Sequence, residues 1–179
     1  KGPATLLYGS NALGGVVNAI TSHHEIHEHP HPGVRGYVTG IGGTANDQAG
    51  VSGQVEYGKG DWLVQLGGGR QRTGDYRTPI GVVENSGSEL NTGSARIGWL
   101  KEKHYLKLGY TYDDGINGVP FAQIIAGIGA QERISIDFRR QTFRATGGLR
   151  NRAGFVNDFR LTLNYSDWFH QELENGVAE

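Results

Sequence analysis

Over most of its length the chain alternates apolar and polar side chains with a period of two. That is the pattern of strands whose two faces meet different surroundings. Trp62, Val64 and Leu66 fall on one parity, and Leu63, Gln65 and Gly67 on the other. Leu106, Leu108, Tyr110 and Tyr112 oppose Tyr105, Lys107, Gly109 and Thr111. Phe159, Leu161, Leu163 and Tyr165 oppose Arg160, Thr162, Asn164 and Ser166. These runs predict strands at about 34–44, 49–57, 62–73, 92–100, 105–112, 133–147 and 155–170. One run is less regular: Ile134, Ile136 and Phe138 share parity with Arg140, whereas Phe143 and Ala145 have the other. Either a bulge near 139–142 restores the register, or the parity simply breaks there. Gly67-Gly68-Gly69 lies inside a strand pattern and reads as a close-packing or bulge site.

The connections differ in length from one side to the other. Asn46-Asp47-Gln48 joins the first two strands; after it Gly58-Lys59-Gly60-Asp61, Lys101-Glu102-Lys103-His104 and the segment 150–154 are short, while 74–91 and 113–132 are long. Short turns on one side and long loops on the other is the layout of a transmembrane β-barrel. Seven hairpin-linked strands also fit a soluble β-sandwich binding module, but a sandwich has no reason to sort its loops this way. The expected fold is therefore all-β: a partial transmembrane β-barrel, built as an antiparallel meander of about seven strands. In that fold Leu106, Leu108, Tyr110, Leu161 and Leu163 face outward, and Lys107, Arg160, Thr162 and Asn164 face the concave side. Tyr57, Trp62, Trp99, Tyr105 and Trp168 sit near strand ends, where interfacial aromatics belong. In a soluble sheet they would be core residues instead.

Composition narrows the functional classes. A net charge of −1 leaves no basic excess for nucleic acid. The absence of cysteine excludes a disulfide framework and thiolate metal sites. No run is long and apolar enough for a membrane helix, but a barrel strand needs only alternate apolar residues. The mean hydropathy of −0.45 is compatible with such strands. There is no Ser/His/Asp arrangement and no phosphate-cradling loop between strand and helix, so an enzyme is not expected and no cofactor is implied.

The first 21 residues read as a Gly-Pro start, a short apolar turn, a small-residue elbow and a strand: Lys1-Gly-Pro-Ala-Thr-Leu-Leu-Tyr-Gly-Ser-Asn-Ala-Leu-Gly-Gly-Val-Val-Asn-Ala-Ile-Thr21. This stretch closely resembles the end of the plug domain of TonB-dependent outer-membrane receptors. The chain begins inside that motif and is expected to be a piece of a longer protein. The resemblance implies three parts: the C-terminal end of a plug over 1–22, a His-rich linker over 23–33, and the first strands of the barrel over 34–179. Barrels of this kind have about 22 strands, so the seven here would leave two open edges. It implies energised uptake of a scarce ligand across the outer membrane of a Gram-negative-type bacterium. The implied partners are the TonB complex, reached through a segment preceding this chain, the outer-membrane lipid, and a metal or metal-complex ligand.

Two groups of residues are candidates for metal. His23, His24, His27, His29 and His31 cluster with Glu25 and Glu28, a set of imidazole and carboxylate donors suited to Zn²⁺, Ni²⁺ or Cu²⁺. A flexible tract of this kind can wrap an ion without a preformed site, and a solvated polar linker is the other reading. Further on, His170, Glu172 and Glu174 share a parity with Arg160, Thr162 and Asn164 and would lie near the extracellular mouth of the lumen. There too, a hydrated strand end is the alternative. The stretches Ile134-Ser-Ile-Asp-Phe-Arg-Arg-Gln-Thr-Phe, Leu161-Thr-Leu-Asn-Tyr-Ser-Asp-Trp-Phe-His-Gln-Glu, Tyr76-Arg-Thr-Pro and Gly118-Val-Pro are similar to the barrel start of the zinc-uptake branch of the family. In that branch an Asp-aromatic-x-His-x-Glu segment recurs at this place, and the His-rich segment is an extracellular loop. Here the His-rich tract lies at the plug–barrel junction. Zinc or another divalent metal is the first expected cargo, bound as substrate. A siderophore, cobalamin or other organic ligand is the alternative.

Overall fold

The structure, a computed structural model, describes residues 32–120, 133–150 and 158–178. It contains ten strands: β1 (Gly33–Gly43), β2 (Gln48–Lys59), β3 (Trp62–Thr73), β4 (Tyr76–Thr78), β5 (Gly81–Val83), β6 (Ser88–Leu100), β7 (His104–Gly118), β8 (Ile134–Arg150), β9 (Asp158–Glu174) and β10 (Val177–Ala178). Eight of them form one antiparallel sheet in the order β1-β2-β3-β6-β7-β8-β9-β10, and β4 and β5 form a separate hairpin. Every large-sheet pairing is therefore between strands adjacent along the chain once that hairpin is set aside. Among the described residues there is no helix, no closure of the sheet on itself, and no second large sheet facing the first.

All seven expected strands are present, and β3 has the predicted bounds. Strands β6 to β9 run further than their apolar alternation indicates, because the ladder continues through polar pairs such as Asn91↔Asp114 and Asp113↔Arg140. The 74–91 connection contains the β4–β5 hairpin, and β10 adds a short return strand after β9. The plug end, the His-rich tract to His31 and the 151–154 turn lie outside the described residues.

The register is unbroken through β8. His104↔Leu149 to Gly118↔Ser135 on one side, and Ile134↔Glu174 to Arg150↔Asp158 on the other, step one residue at a time. No bulge interrupts 139–142, so the parity itself changes along the strand. Gly67-Gly68-Gly69 is also in continuous register with both neighbours. Its role is close packing: a Cβ on Gly69 would lie 2.9 Å from the Ser52 side chain.

The turns at the short end follow local chemistry. Gly60, the first of two residues between β2 and β3, has φ 57°, the positive value that primed hairpin turns require. At the other end of the sheet Asn175 and Gly176 reverse the chain between β9 and β10 with φ 52° and 82°. Both values suit a type I′ turn. This end was expected to hold long loops, so the two-residue Asn-Gly turn and the four-residue β1–β2 connection, 44–47, both depart from the simple alternation. The Asn-Gly pair is itself a strong hairpin signal, and it is legible in the sequence.

Cross-strand partners share a face, so the register sorts side chains into two sets. One face carries Val55, Leu66, Ala95, Tyr110, Phe143 and Tyr165 in a single row across six strands. Rows nearer the short turns add Val64, Ile97, Leu108, Ala145 and Leu163. The other face carries the row Arg35, Glu56, Gln65, Arg96, Gly109, Arg144 and Asn164. Leu106, Leu108, Tyr110, Leu161 and Leu163 thus lie opposite Lys107, Arg160, Thr162 and Asn164. The polar face is the hollow one, because residues from β2 to β9 line a single cleft on it. The apolar face is bare: Leu161 is 51% exposed, Leu163 60% and Tyr165 65%. Among the described residues the buried apolar side chains are Leu100, Tyr105 and Ile134, all on the polar face.

Candidate functional site

The hollow face is organised by a row of polar side chains bonded end to end. Arg35 Nη2 donates to Glu56 Oε1 at 3.2 Å, and Gln65 Nε2 donates to Glu56 Oε2 at 3.2 Å. Arg96 Nη1 in turn donates to Gln65 Oε1 at 2.7 Å. Each member is the direct cross-strand partner of the next, so the ladder itself places the donors and acceptors. Glu56 is buried, and a buried carboxylate is tolerated only when its oxygens are engaged. Beyond Arg96 the row passes Gly109, over which the Arg96 stem lies, and continues to Arg144 and Asn164.

Two rows nearer the short turns, Tyr105 packs over Gly148, where a Cβ would meet the ring at 2.5 Å. Its hydroxyl accepts a hydrogen bond from Arg160 Nε at 3.1 Å. Lys107 Nζ lies over the same ring, 5.2 Å from its centroid. Tyr105 was expected among the interfacial aromatics. It is instead buried on the polar face, because glycine at position 148 leaves room for its ring.

Toward the long-loop end the same face becomes aromatic. The rings of Phe138 and Trp168 stack nearly parallel, with centroids 5.6 Å apart. Arg140 lies over Trp168 and donates from Nε and Nη2 to Asp113 Oδ2, at 3.0 and 2.6 Å. Trp168 therefore also belongs to the polar face and not to an outward girdle. Tyr57, Trp62 and Trp99 are on the apolar face near the short turns, with Trp62 and Trp99 directly paired. Tyr110, Phe143 and Tyr165 form a second aromatic line on that face, with centroids 4.8 and 6.5 Å apart. The Tyr110 hydroxyl donates to Gln141 Oε1 at 3.0 Å, toward the polar end of β8.

His170, Glu172 and Glu174 share the polar face, as expected. They form a row along β9 and do not surround a point. Their partners across the ladder are Phe138, Ile136 and Ile134, none of which offers a metal donor. At about 6.8 Å per two strand residues, His170 and Glu174 are separated by roughly 13 Å at Cα, too far to share one ion. His170 and Glu172 are neighbours that can. Among the described residues no group of three or more His, Asp or Glu side chains is placed to hold a metal. His23, His24, His27, His29 and His31 lie outside the described residues.

The long-loop end is tied together by hydrogen bonds. Gly74 N donates to Asn46 O at 2.7 Å, and Arg77 bridges to Asp47 at 2.7 Å. Asn85, at φ 59°, donates from Nδ2 to Val119 O at 3.1 Å and to Ile134 O at 2.6 Å. The β3–β6 connection is thus fastened to the β1–β2 loop on one side and to β7 and β8 on the other. No protein-family model matches the sequence.

Proposed function

We propose that this chain forms part of the wall of a transmembrane β-barrel, in a TonB-dependent receptor that takes up a scarce ligand across the outer membrane. The observation that carries the reading is the bare apolar face. A sheet surrounded by water would cover its Leu, Val and Phe side chains, and a continuous exposed apolar surface of this extent needs an apolar neighbour. Lipid supplies one along every strand, with the polar face turned to the lumen. Aromatics at both ends of the apolar rows fit the same placement. The family assignment rests on the resemblance of residues 1–21 to a plug terminus, which makes the TonB complex the energising partner.

Zinc or another divalent metal is the cargo we propose first, with His170 and Glu172 supplying two donors near the mouth and the remaining donors coming from outside the described residues. The Phe138–Trp168 stack beside His170 favours a second reading, in which the cargo is an organic ligand or metal complex with a flat ring. Uptake of radioactive zinc by cells with and without the full-length receptor, alongside fractionation of the envelope, tests both levels. Recovery in the outer membrane with receptor-dependent zinc uptake is expected. Recovery in a soluble fraction removes the barrel reading. Zinc uptake unchanged by deletion of the receptor removes zinc as the cargo.

A further inference from the structure

We propose that the apolar face carries, at its short-turn end, a site for one phospholipid with an acidic headgroup. The site deepens the barrel-wall reading and rests on it, since that reading sets this face against lipid. Tyr57, Lys59, Asp61, Trp62 and Val64 line an open groove there of about 450 Å³. The groove runs into the bare apolar rows through the partners Tyr57↔Val64↔Ile97 and Trp62↔Trp99. Val64 and Leu66 follow Trp62 on the same face of β3, both exposed. An acyl chain laid along them covers apolar surface from the groove toward the middle of the sheet.

At its border the groove turns polar. Lys59 and Trp62 are direct cross-strand partners, and Trp62 pairs in turn with Trp99. Lys101 Nζ lies 5.4 Å from the centroid of the Trp99 ring and 3.7 Å from Asp61 Oδ2. Lys101 and Asp61 therefore offset each other. Lys59 has no ion-pair partner among the described residues, which leaves the groove with one net positive charge. A phosphodiester carries the single negative charge that complements it. A lysine here can lay its stem on the apolar face and raise its ammonium to the headgroup layer. Tyr57 and Trp62, each about half exposed, add an O–H and an N–H that make no protein hydrogen bond among the described residues. Both groups can donate to phosphate or ester oxygens while their rings stay against the chains.

The set is local. From β7 to β9 the row of Trp62 and Trp99 continues as Leu106, Gly147 and Leu161, and nearer the turns β8 and β9 carry Leu149 and Phe159. None of these offers a cation or a side-chain donor. An interfacial belt shared by the whole wall would repeat the Lys–Trp pairing on every hairpin. Its confinement to β2, β3 and β6 is what a single bound headgroup requires.

Native mass spectrometry of the full-length protein in a neutral detergent, titrated with phosphatidylglycerol and separately with phosphatidylcholine, tests the site. Tighter retention of phosphatidylglycerol is expected. Lys59→Gln is expected to weaken that retention about fivefold, the effect of one lysine at an acidic lipid surface. Trp62→Leu keeps the apolar surface, loses the N–H donor, and is expected to weaken it severalfold. Lys103→Gln removes a cation from the neighbouring turn, outside the groove, and is expected to leave it unchanged. Glycerol phosphate, a headgroup without chains, is expected not to displace the lipid. Equal retention of the two lipids overturns the proposal, and so does unchanged retention in Lys59→Gln or in Trp62→Leu. A loss in Lys103→Gln as large as in Lys59→Gln, or displacement by glycerol phosphate, also overturns it. Envelope fractionation separates this failure from that of the barrel reading. Recovery in a soluble fraction removes both, whereas recovery in the outer membrane with any of the adverse binding results removes the lipid site alone.

Discussion

The hydroxyl of Tyr105 reaches across Gly148 to accept a hydrogen bond from Arg160 Nε at 3.1 Å, joining β7 to β9 over the intervening strand. Tyr105 is 5% exposed, so the bond is sheltered from water. Gly148→Val fills the space that the ring occupies and is expected to destabilise the sheet by about 1–3 kcal/mol. Tyr105→Phe keeps the ring and loses only the hydrogen bond, at about 0.5–1.5 kcal/mol. Urea unfolding of the full-length protein in detergent measures both. A Gly148→Val midpoint equal to that of the unaltered protein would show that the ring has another place to go.

The two faces differ in what they tolerate. Leu163→Lys puts a charge on the apolar face and is expected to cost about 2–4 kcal/mol if that face meets the bilayer midplane. Ser166→Lys, three residues along on the polar face, is expected to cost well under 1 kcal/mol. Folding into phospholipid vesicles followed by tryptophan fluorescence separates the two. Equal costs would contradict the assignment of faces.

The row geometry of β9 splits the metal candidates. His170→Ala and Glu172→Ala are each expected to lower receptor-dependent zinc uptake severalfold. Glu174→Ala is expected to change it little, because Glu174 lies too far from His170 to join the same ion. Replacing His23, His24, His27, His29 and His31 together is expected to leave capture from outside intact. Zinc accumulation measured in cells carrying each variant decides, and a loss in Glu174→Ala as large as in His170→Ala would mean that the strand does not present these residues as a straight row.

Asn85 holds the long-loop end by two side-chain hydrogen bonds, to Val119 O and Ile134 O. Asn85→Gly preserves the positive φ and removes both bonds, so its effect isolates the tie. Loss of about 1–2 kcal/mol of local stability is expected, seen as faster amide exchange across 74–87 and at the start of β8. Exchange accelerated only at residues 85–86 would show that the tie does not reach its neighbours.

Most of the fold was legible because period-two alternation depends on side-chain character alone, and each strand of the meander pairs with the strand nearest it along the chain. The polar ends of β6 to β9 were less so, since pairs such as Asp113 with Arg140 stabilise a ladder without any apolar signal. The faces of Tyr105 and Trp168 followed from parity, yet their proximity to strand ends drew them toward a girdle role. What placed Tyr105 inside was Gly148, more than forty positions away. The cleft on the hollow face was hidden for the same reason: Arg96, Lys107, Arg144 and Arg160, which line it, come from four strands, and only the register between those strands brings them to one place. The metal candidates on β9 kept their predicted side. Their spacing along an extended chain, which sequence also implies, is what keeps all three from converging.

Because the large sheet is built only from neighbouring strands, its mechanical response is local. Loosening β9 withdraws support from β8 and β10 but leaves the β1–β2–β3 ladder with its own bonds intact. Strain applied to one part of the sheet therefore fades with the number of strands crossed, except where a side chain bypasses a strand, as Tyr105 does. Such a bypass makes three strands yield together where the ladder alone would release them one at a time.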